Sequence, residues 1–197
     1  MSLRRAATFF IMSFLLLGCE ACGPADLEVQ GSDTVDEVNL ITWDQCGYQK
    51  GDHMCDFTLK DQNGQSFSLY ENVGNPIVID YSTMWCGYCQ VAAQEVTEIE
   101  TKYKESGLIY VTILIEDTSG QPTDEADCAS WSSVFGIIDA PVLAGSRDLI
   151  DATEESGPAI SGWPSFLFLD KELVITSFMR GYSKPGLESG IQTIIAD

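Results

Sequence analysis

Pro76-Ile77-Val78-Ile79-Asp80-Tyr81-Ser82 runs through Thr83 and Met84 into Trp85-Cys86-Gly87-Tyr88-Cys89, and the reading of this stretch decides the fold. The apolar run before the cysteines reads as a buried strand. From Gln90 to Ser106 a polar segment of helical period follows, in which Val91, Glu95, Ile99 and Tyr103 share one face with Val96 beside it, and Gly107 supplies a C-cap. Two cysteines separated by two residues at a strand-to-helix junction can close a disulfide across one helical turn. The positive end of the helix favours a thiolate on the first of them. The arrangement is a redox device.

Working outward, Phe57-Thr58-Leu59-Lys60 and Ser66-Phe67-Ser68-Leu69 alternate apolar with polar on either side of Asp61-Gln62-Asn63-Gly64-Gln65, which predicts a β-hairpin turned at Asn-Gly. Ile41 to Asp56 carries Trp43 and the Cys46/Cys55 pair and reads as an extension pinned to the domain. Downstream, Leu108 to Ile115 is a continuous apolar run suited to a central strand covered on both faces. Strand, helix and strand in this order make a parallel βαβ unit. A helix is expected over Thr123 to Phe135, a short extended piece at Pro141-Val142-Leu143 and another helix over Asp148 to Glu155. Phe166 to Leu169 and Leu173 to Phe178 read as an antiparallel pair joined by Asp170-Lys171-Glu172. The last helix places Leu187, Ile191, Ile194 and Ile195 inward.

With 197 residues, 45% of them hydrophobic, the chain can bury one good core. Residues 1–18 read as an export leader: Arg4 and Arg5 form a charged start, and Ala6 to Leu17 form an apolar run too short to span a bilayer. Leu16-Leu17-Gly18-Cys19 resembles the bacterial lipobox, which implies cleavage before Cys19 and a lipid on that cysteine. An ordinary signal peptide or a short uncleaved anchor would account for the same letters. Glu20, not Asp, follows Cys19, which in the best-studied envelopes leaves the outer membrane open as the destination. Residues 19–40 are acidic and small and read as a flexible linker, and residues 41–197 as the domain, with its core over 55–195.

Removing the leader takes away two of the ten Lys and Arg residues and none of the 30 Asp and Glu, moving the net charge from −20 to −22. Such a balance excludes nucleic acid as a partner, because that binding needs a basic footprint. Seven cysteines in an exported chain need accounting. Cys46 and Cys55 flank a turn-rich loop and are the first choice for a structural disulfide. Cys22 with Cys128 is a pairing by elimination only.

The string of hairpin, strand, W-C-x-x-C, helix, strand, helix, x-Pro, two strands and helix resembles the thioredoxin fold, an α/β architecture with a central mixed sheet flanked by helices. More narrowly, Phe57-Thr58-Leu59 with Asn63-Gly64 and the segment from Pro76 to Cys89 resemble the membrane-anchored redoxins of the TlpA type. Trp85 directly precedes Cys86, as in thioredoxins. The resemblance implies that Asp80 is the buried acid that exchanges protons near the resolving cysteine. It also implies that Pro164 is the cis-proline that lies against the cysteine pair and offers backbone to an extended client. Trp163 stands where relatives have Val or Thr, and Gly87-Tyr88 matches the dipeptide of periplasmic disulfide isomerases.

The chemistry expected is thiol–disulfide exchange, with Cys86 as nucleophile, Cys89 as resolving thiol and Asp80 as proton acceptor. Trp85, Tyr88, Trp163 and Pro164 would meet the client, although the rings serve equally as core or shielding. Asp80 could instead be a strand-end aspartate bonded to backbone. The cysteine pair could be a static disulfide or half of a metal site, but there is no second C-x-x-C and His53 is the single histidine. No metal or other cofactor is therefore expected. The whole reads as an envelope thiol:disulfide oxidoreductase, a lipoprotein facing the periplasm, that reduces disulfide-containing client proteins with electrons from a membrane donor. Two alternatives stand beside it. Thr83-Met84-Trp85-Cys86 has the T-x-x-C spacing of peroxiredoxins, which points to a thiol-dependent peroxidase, and a non-catalytic binding module could keep the same fold.

Overall fold

The computed structural model of the chain describes residues 41–196. The expected leader and linker, and with them Cys19 and Cys22, lie outside the described residues. In chain order the elements are β1 (Thr58–Lys60), β2 (Ser66–Ser68), β3 (Ile77–Thr83), α1 (Gly87–Ala93), α2 (Val96–Tyr103), β4 (Ile109–Glu116), α3 (Glu125–Phe135), β5 (Val142–Ala144), β6 (Ser165–Leu169), β7 (Ile175–Arg180) and α4 (Lys184–Ile195). Single 3-10 turns stand at Tyr70–Asn72, Lys104–Ser106 and Arg147–Leu149.

Five strands form one mixed sheet in the order β5-β4-β3-β6-β7, with β1 and β2 as a separate hairpin. β3 pairs parallel with β4, and β4 with β5, while β6 and β7 run antiparallel. The expected mixed sheet with flanking helices and the N-terminal hairpin are present. Successive residues of a strand point to opposite faces, and both faces here are dry. Val78, Tyr110, Leu114, Phe166 and Phe168 meet residues of α1, α2, α3 and α4. Ile77, Ile79, Tyr81, Val111, Ile113 and Leu167 meet Met54, Leu69 and Leu173, with Trp43, Phe57 and Phe67 packed alongside. The helices thus share one face of the sheet, and the N-terminal extension and hairpin cover the other. Each fully buried Ile or Leu contributes about 1.5–3 kcal/mol relative to exposure, so the extension seals a strongly stabilising surface.

The hairpin meets the sheet edge at an antiparallel bridge between Asp61 and Leu143 and through the side chain of Gln62. Gln62 accepts from Val142 N at 2.8 Å and donates to Ala140 O at 3.0 Å, so it occupies backbone groups that β5 would otherwise leave open. On the far edge, Gly51 N donates to Ile175 O and Ile175 N to Asp52 O, both at 2.9 Å. Cys46 and Cys55 are joined by a disulfide that closes this loop. Cys128 is a fully buried thiol on α3, and Cys22, its partner by elimination, lies outside the described residues.

Two expected helices are corrected. The segment from Gln90 to Ser106 is not one helix: α1 begins earlier, at Gly87, and a tight turn with Glu95 N donating to Ala92 O at 3.0 Å separates it from α2. Neither glycine nor proline marks the break. Its ties are tertiary, since Lys184 of α4 pairs with Glu95 there and with Glu98 one turn on. Between Asp148 and Glu155 no helix forms beyond the 3-10 turn. The Asp151 carboxylate accepts from Thr153 N at 2.8 Å and Ser156 N at 3.2 Å, and this local capture competes with the helical ladder. Glu154 sits at φ 60°, outside the right-handed helical region.

Candidate active site

β3 ends in a register shift between Ser82 and Thr83, which turns the chain out of the sheet just before the cysteines. Met84 N donates to Glu116 O at 2.9 Å and Cys86 N to Thr83 O at 3.3 Å, fixing the exit. Cys86 is then the N-cap of α1 in extended conformation, and its sulfur accepts from Cys89 N at 3.4 Å. Cys86 retains 8% exposure and Cys89 none, so only the first sulfur can meet another molecule. Burial raises the Cys89 thiol far above its usual range, and the neighbouring Asp80 adds to the effect.

Asp80 points to the helix face of β3 and is 1% exposed. Its Oδ1 accepts from Ser82 Oγ at 2.7 Å and its Oδ2 from Tyr110 Oη of β4 at 3.2 Å. Burial pushes the carboxyl up to about 7, and the two donors pull against that rise. Asp80 takes part in no ion pair among the described residues. The alternative of a strand-end aspartate bonded to backbone does not describe it, because it stands in mid-strand and its hydrogen-bond partners are side-chain hydroxyls. A buried carboxyl that gains or loses its proton near neutrality, next to a thiol that must lose one, is suited to proton exchange.

The rim is aromatic. Tyr88 is 70% exposed and Trp85 48% exposed. Trp85 Nε1 donates to Glu116 Oε2 at 2.8 Å, and Glu116 forms an ion pair with Arg147 that holds its carboxyl below the usual range. The Arg147 guanidinium lies 5.9 Å from the centre of the Trp163 ring. The Trp163-Pro164 bond is cis, Pro164 is buried, and Trp163 packs partly buried against both core clusters. The cluster from Trp85 through Glu116 and Arg147 to Trp163 therefore joins the cysteine motif to the turn before β6.

Residues 50–177, most of the chain, match the AhpC/TSA family. The chain belongs to the AhpC/TSA family. Thioredoxin-like protein YneN of Bacillus subtilis is 22% identical over 137 residues, 70% of this chain and 75% of that protein. Solved structures share the thioredoxin-like fold. The exposed lipoprotein thioredoxin Etrx1 of Streptococcus pneumoniae superposes with TM-score 0.58 at 20% identity, covering 71% of this chain and 99% of that one. Peroxidoxin BcpB of Mycobacterium tuberculosis superposes with TM-score 0.59 at 16% identity, covering 76% and 97%.

In this AhpC/TSA chain the expected residues Cys86, Cys89, Asp80, Trp85 and Tyr88 come together around the start of α1. Among the described residues no group of three or more His, Cys, Asp and Glu is placed to hold a metal ion. His53 lies within the Cys46–Cys55 disulfide loop, its ring stacked on Trp43 at 4.0 Å. Ser82, Tyr110, Glu116 and Arg147 were missed by sequence reasoning. Glu116 carried a usable signal: it is the acid that directly follows the apolar run from Leu108 to Ile115. Tyr110 and Arg147 carried none, because a tyrosine in a buried run and an arginine in a loop are unremarkable letters.

Proposed function

We propose that this thioredoxin-like oxidoreductase reduces disulfides of exported client proteins through its Cys86/Cys89 dithiol. The observation that carries the reading is the gradient across the pair: a sulfur that keeps a little exposure at the α1 N-terminus, and a second, fully buried, beside the Asp80 carboxyl. Cys86 thiolate attacks a client sulfur, the client S–S bond breaks, and one client thiolate leaves. Cys89 gives its proton to the Asp80 carboxylate and attacks Cys86 sulfur, which closes the Cys86–Cys89 disulfide and releases the second client thiolate. Two electrons pass to the client, and a donor of the membrane compartment must restore the dithiol. Trp85, Tyr88, Trp163 and Pro164 form the surface that the client meets.

The placement follows from the same reading. Residues 1–18 would direct export, Cys19 would carry the lipid, residues 19–40 would tether the domain over 41–197, and the site would face the periplasm. Among the described residues no helix is long and apolar enough to cross a membrane. The lipoprotein thioredoxin among the structural neighbours supports an envelope setting.

Insulin reduction tests the activity. Cys86→Ser is expected to abolish it, and Cys89→Ser to accumulate a mixed disulfide that survives until external thiol is added. Normal turnover by Cys89→Ser would overturn the dithiol mechanism. A reduction potential near that of thioredoxin, about −270 mV, supports the reducing direction, and one near about −120 mV overturns it.

A peroxidase reading has one observation of its own. Thr83 is fully buried, stands three residues before Cys86 and has a hydroxyl without a hydrogen-bond partner. Peroxide consumption that needs Cys86 and Thr83 but not Cys89 would favour it over disulfide reduction.

A further inference from the structure

Every thiol that resolves a mixed disulfide must first lose its proton, and the acid that takes it must be unprotonated at that moment. A carboxyl as deeply buried as Asp80 would ordinarily hold its proton well past neutrality, because low dielectric penalises the charged form. A nearby cation is the usual remedy, yet Asp80 takes part in no ion pair among the described residues. What faces the carboxyl instead is a pair of neutral hydroxyls, one on each oxygen.

We infer that Tyr110, with Ser82, is a positioning residue that lets Asp80 ionise at working pH and so governs the rate at which Cys89 resolves the mixed disulfide. This rests on the reading of Asp80 as proton acceptor. Tyr110 is itself fully buried, so its hydroxyl has no water to turn to, and its bond to Oδ2 is made across the sheet from β4. Ser82 bonds Oδ1 from two residues along β3 and also touches the thiol of Cys89, so it stands between donor and acceptor of the proton. A hydrogen bond to the charged form of an acid favours that form.

The geometry separates Tyr110 from its neighbours. Thr112 is the register partner of Asp80 in β4, but its hydroxyl makes no hydrogen bond. Phe166, the register partner in β6, has nothing to donate. The titratable groups facing the carboxyl are Cys89 from α1 and Tyr110 from β4. Tyr182, from the turn before α4, faces Tyr110 in turn, and its hydroxyl is buried without a partner. No other element brings a titratable side chain to Asp80 in the described residues.

The proton balance is closed within the site. Cys89 S–H breaks, the proton passes to Asp80, and the Cys89 sulfur forms its bond to Cys86 as the Cys86–client bond breaks. The departing client thiolate later takes the proton. Removing the Tyr110 hydroxyl leaves Oδ2 bare, so Asp80 keeps its proton to higher pH and resolution stalls near neutrality.

The test is single-turnover reaction of the reduced chain with a disulfide peptide, following formation and decay of the mixed disulfide across pH. The carboxyl of Asp80 is read alongside by carbon-13 NMR. In Tyr110→Phe, decay near neutrality is expected to fall roughly tenfold for each unit by which the Asp80 titration moves to alkaline pH, and to recover at higher pH. Ser82→Ala should move both in the same direction. An Asp80 titration that stays in place in Tyr110→Phe, or a decay slowed equally at every pH, overturns the inference while the acceptor role of Asp80 stands. If Asp80→Asn resolves as fast as wild type, the acceptor reading itself has failed.

Discussion

At the scale of the residue, Asp80 shows what a buried acid costs. Its carboxyl, raised from 3.8 to about 7, binds its proton in the native chain at pH values where the unfolded chain has already released it. Native chains therefore hold more protons between roughly pH 4 and pH 7, and stability falls as pH climbs through that window. Above it the penalty is complete, roughly 4 kcal/mol at 1.36 kcal/mol per unit. Asp80→Asn is expected to raise stability to urea by that order at pH 8 and to change little at pH 3.5. Equal gains at both pH values would show that repacking, not ionisation, is responsible. Cys86 and Cys89 were singled out by their spacing, and Asp80 and Pro164 by the resemblance to thioredoxins. Tyr110 and Glu116 were not, because they reach the site through the β3–β4 register, which brings Asp80 level with Thr112 and Thr83 level with Glu116.

At the scale of the element, α3 is anchored by its first turn. Asp124 accepts from Ala126 N at 2.9 Å and Asp127 N at 3.0 Å, and Asp127 returns a bond to Asp124 N at 3.2 Å. This reciprocal cap satisfies donors that the helix cannot bond internally. Asp124→Ala should cost about 1 kcal/mol in chemical denaturation; no loss would mean that water replaces the cap without penalty. Its start was expected from Thr123 and Asp124, and Gly136 at φ 68° ends it. The hairpin, β3 and β4 were legible for the same reason: period and turn chemistry agree over adjacent residues. The α1–α2 break was not, since its partner Lys184 lies 89 residues away. Nor was the loop after Leu149, where Asp151 bonds Thr153 and Ser156 by choices that composition does not rank.

At the scale of the whole molecule, the placement of the helices on one face leaves the other to the N-terminal extension, the disulfide loop and the hairpin. Extension and site are therefore on opposite sides of β3, whose Tyr81 faces the first and Asp80 the second. The ion pairs of Lys184 with Glu95 and Glu98 and of Lys102 with Glu188 join α4 to the α1–α2 region. The burial of the three thiols has a use as a clock. Iodoacetamide should carbamidomethylate Cys86 at once, while Cys89 and Cys128, both with 0% exposure, wait for their helices to open. Peptide-resolved mass spectrometry of the labelling time course would then date the opening of α1 and of α3 separately, without any substitution. Cys128 reacting as fast as Cys86 would contradict the packing of α3. A chain built for electron exchange thus carries its own chronometer of local unfolding.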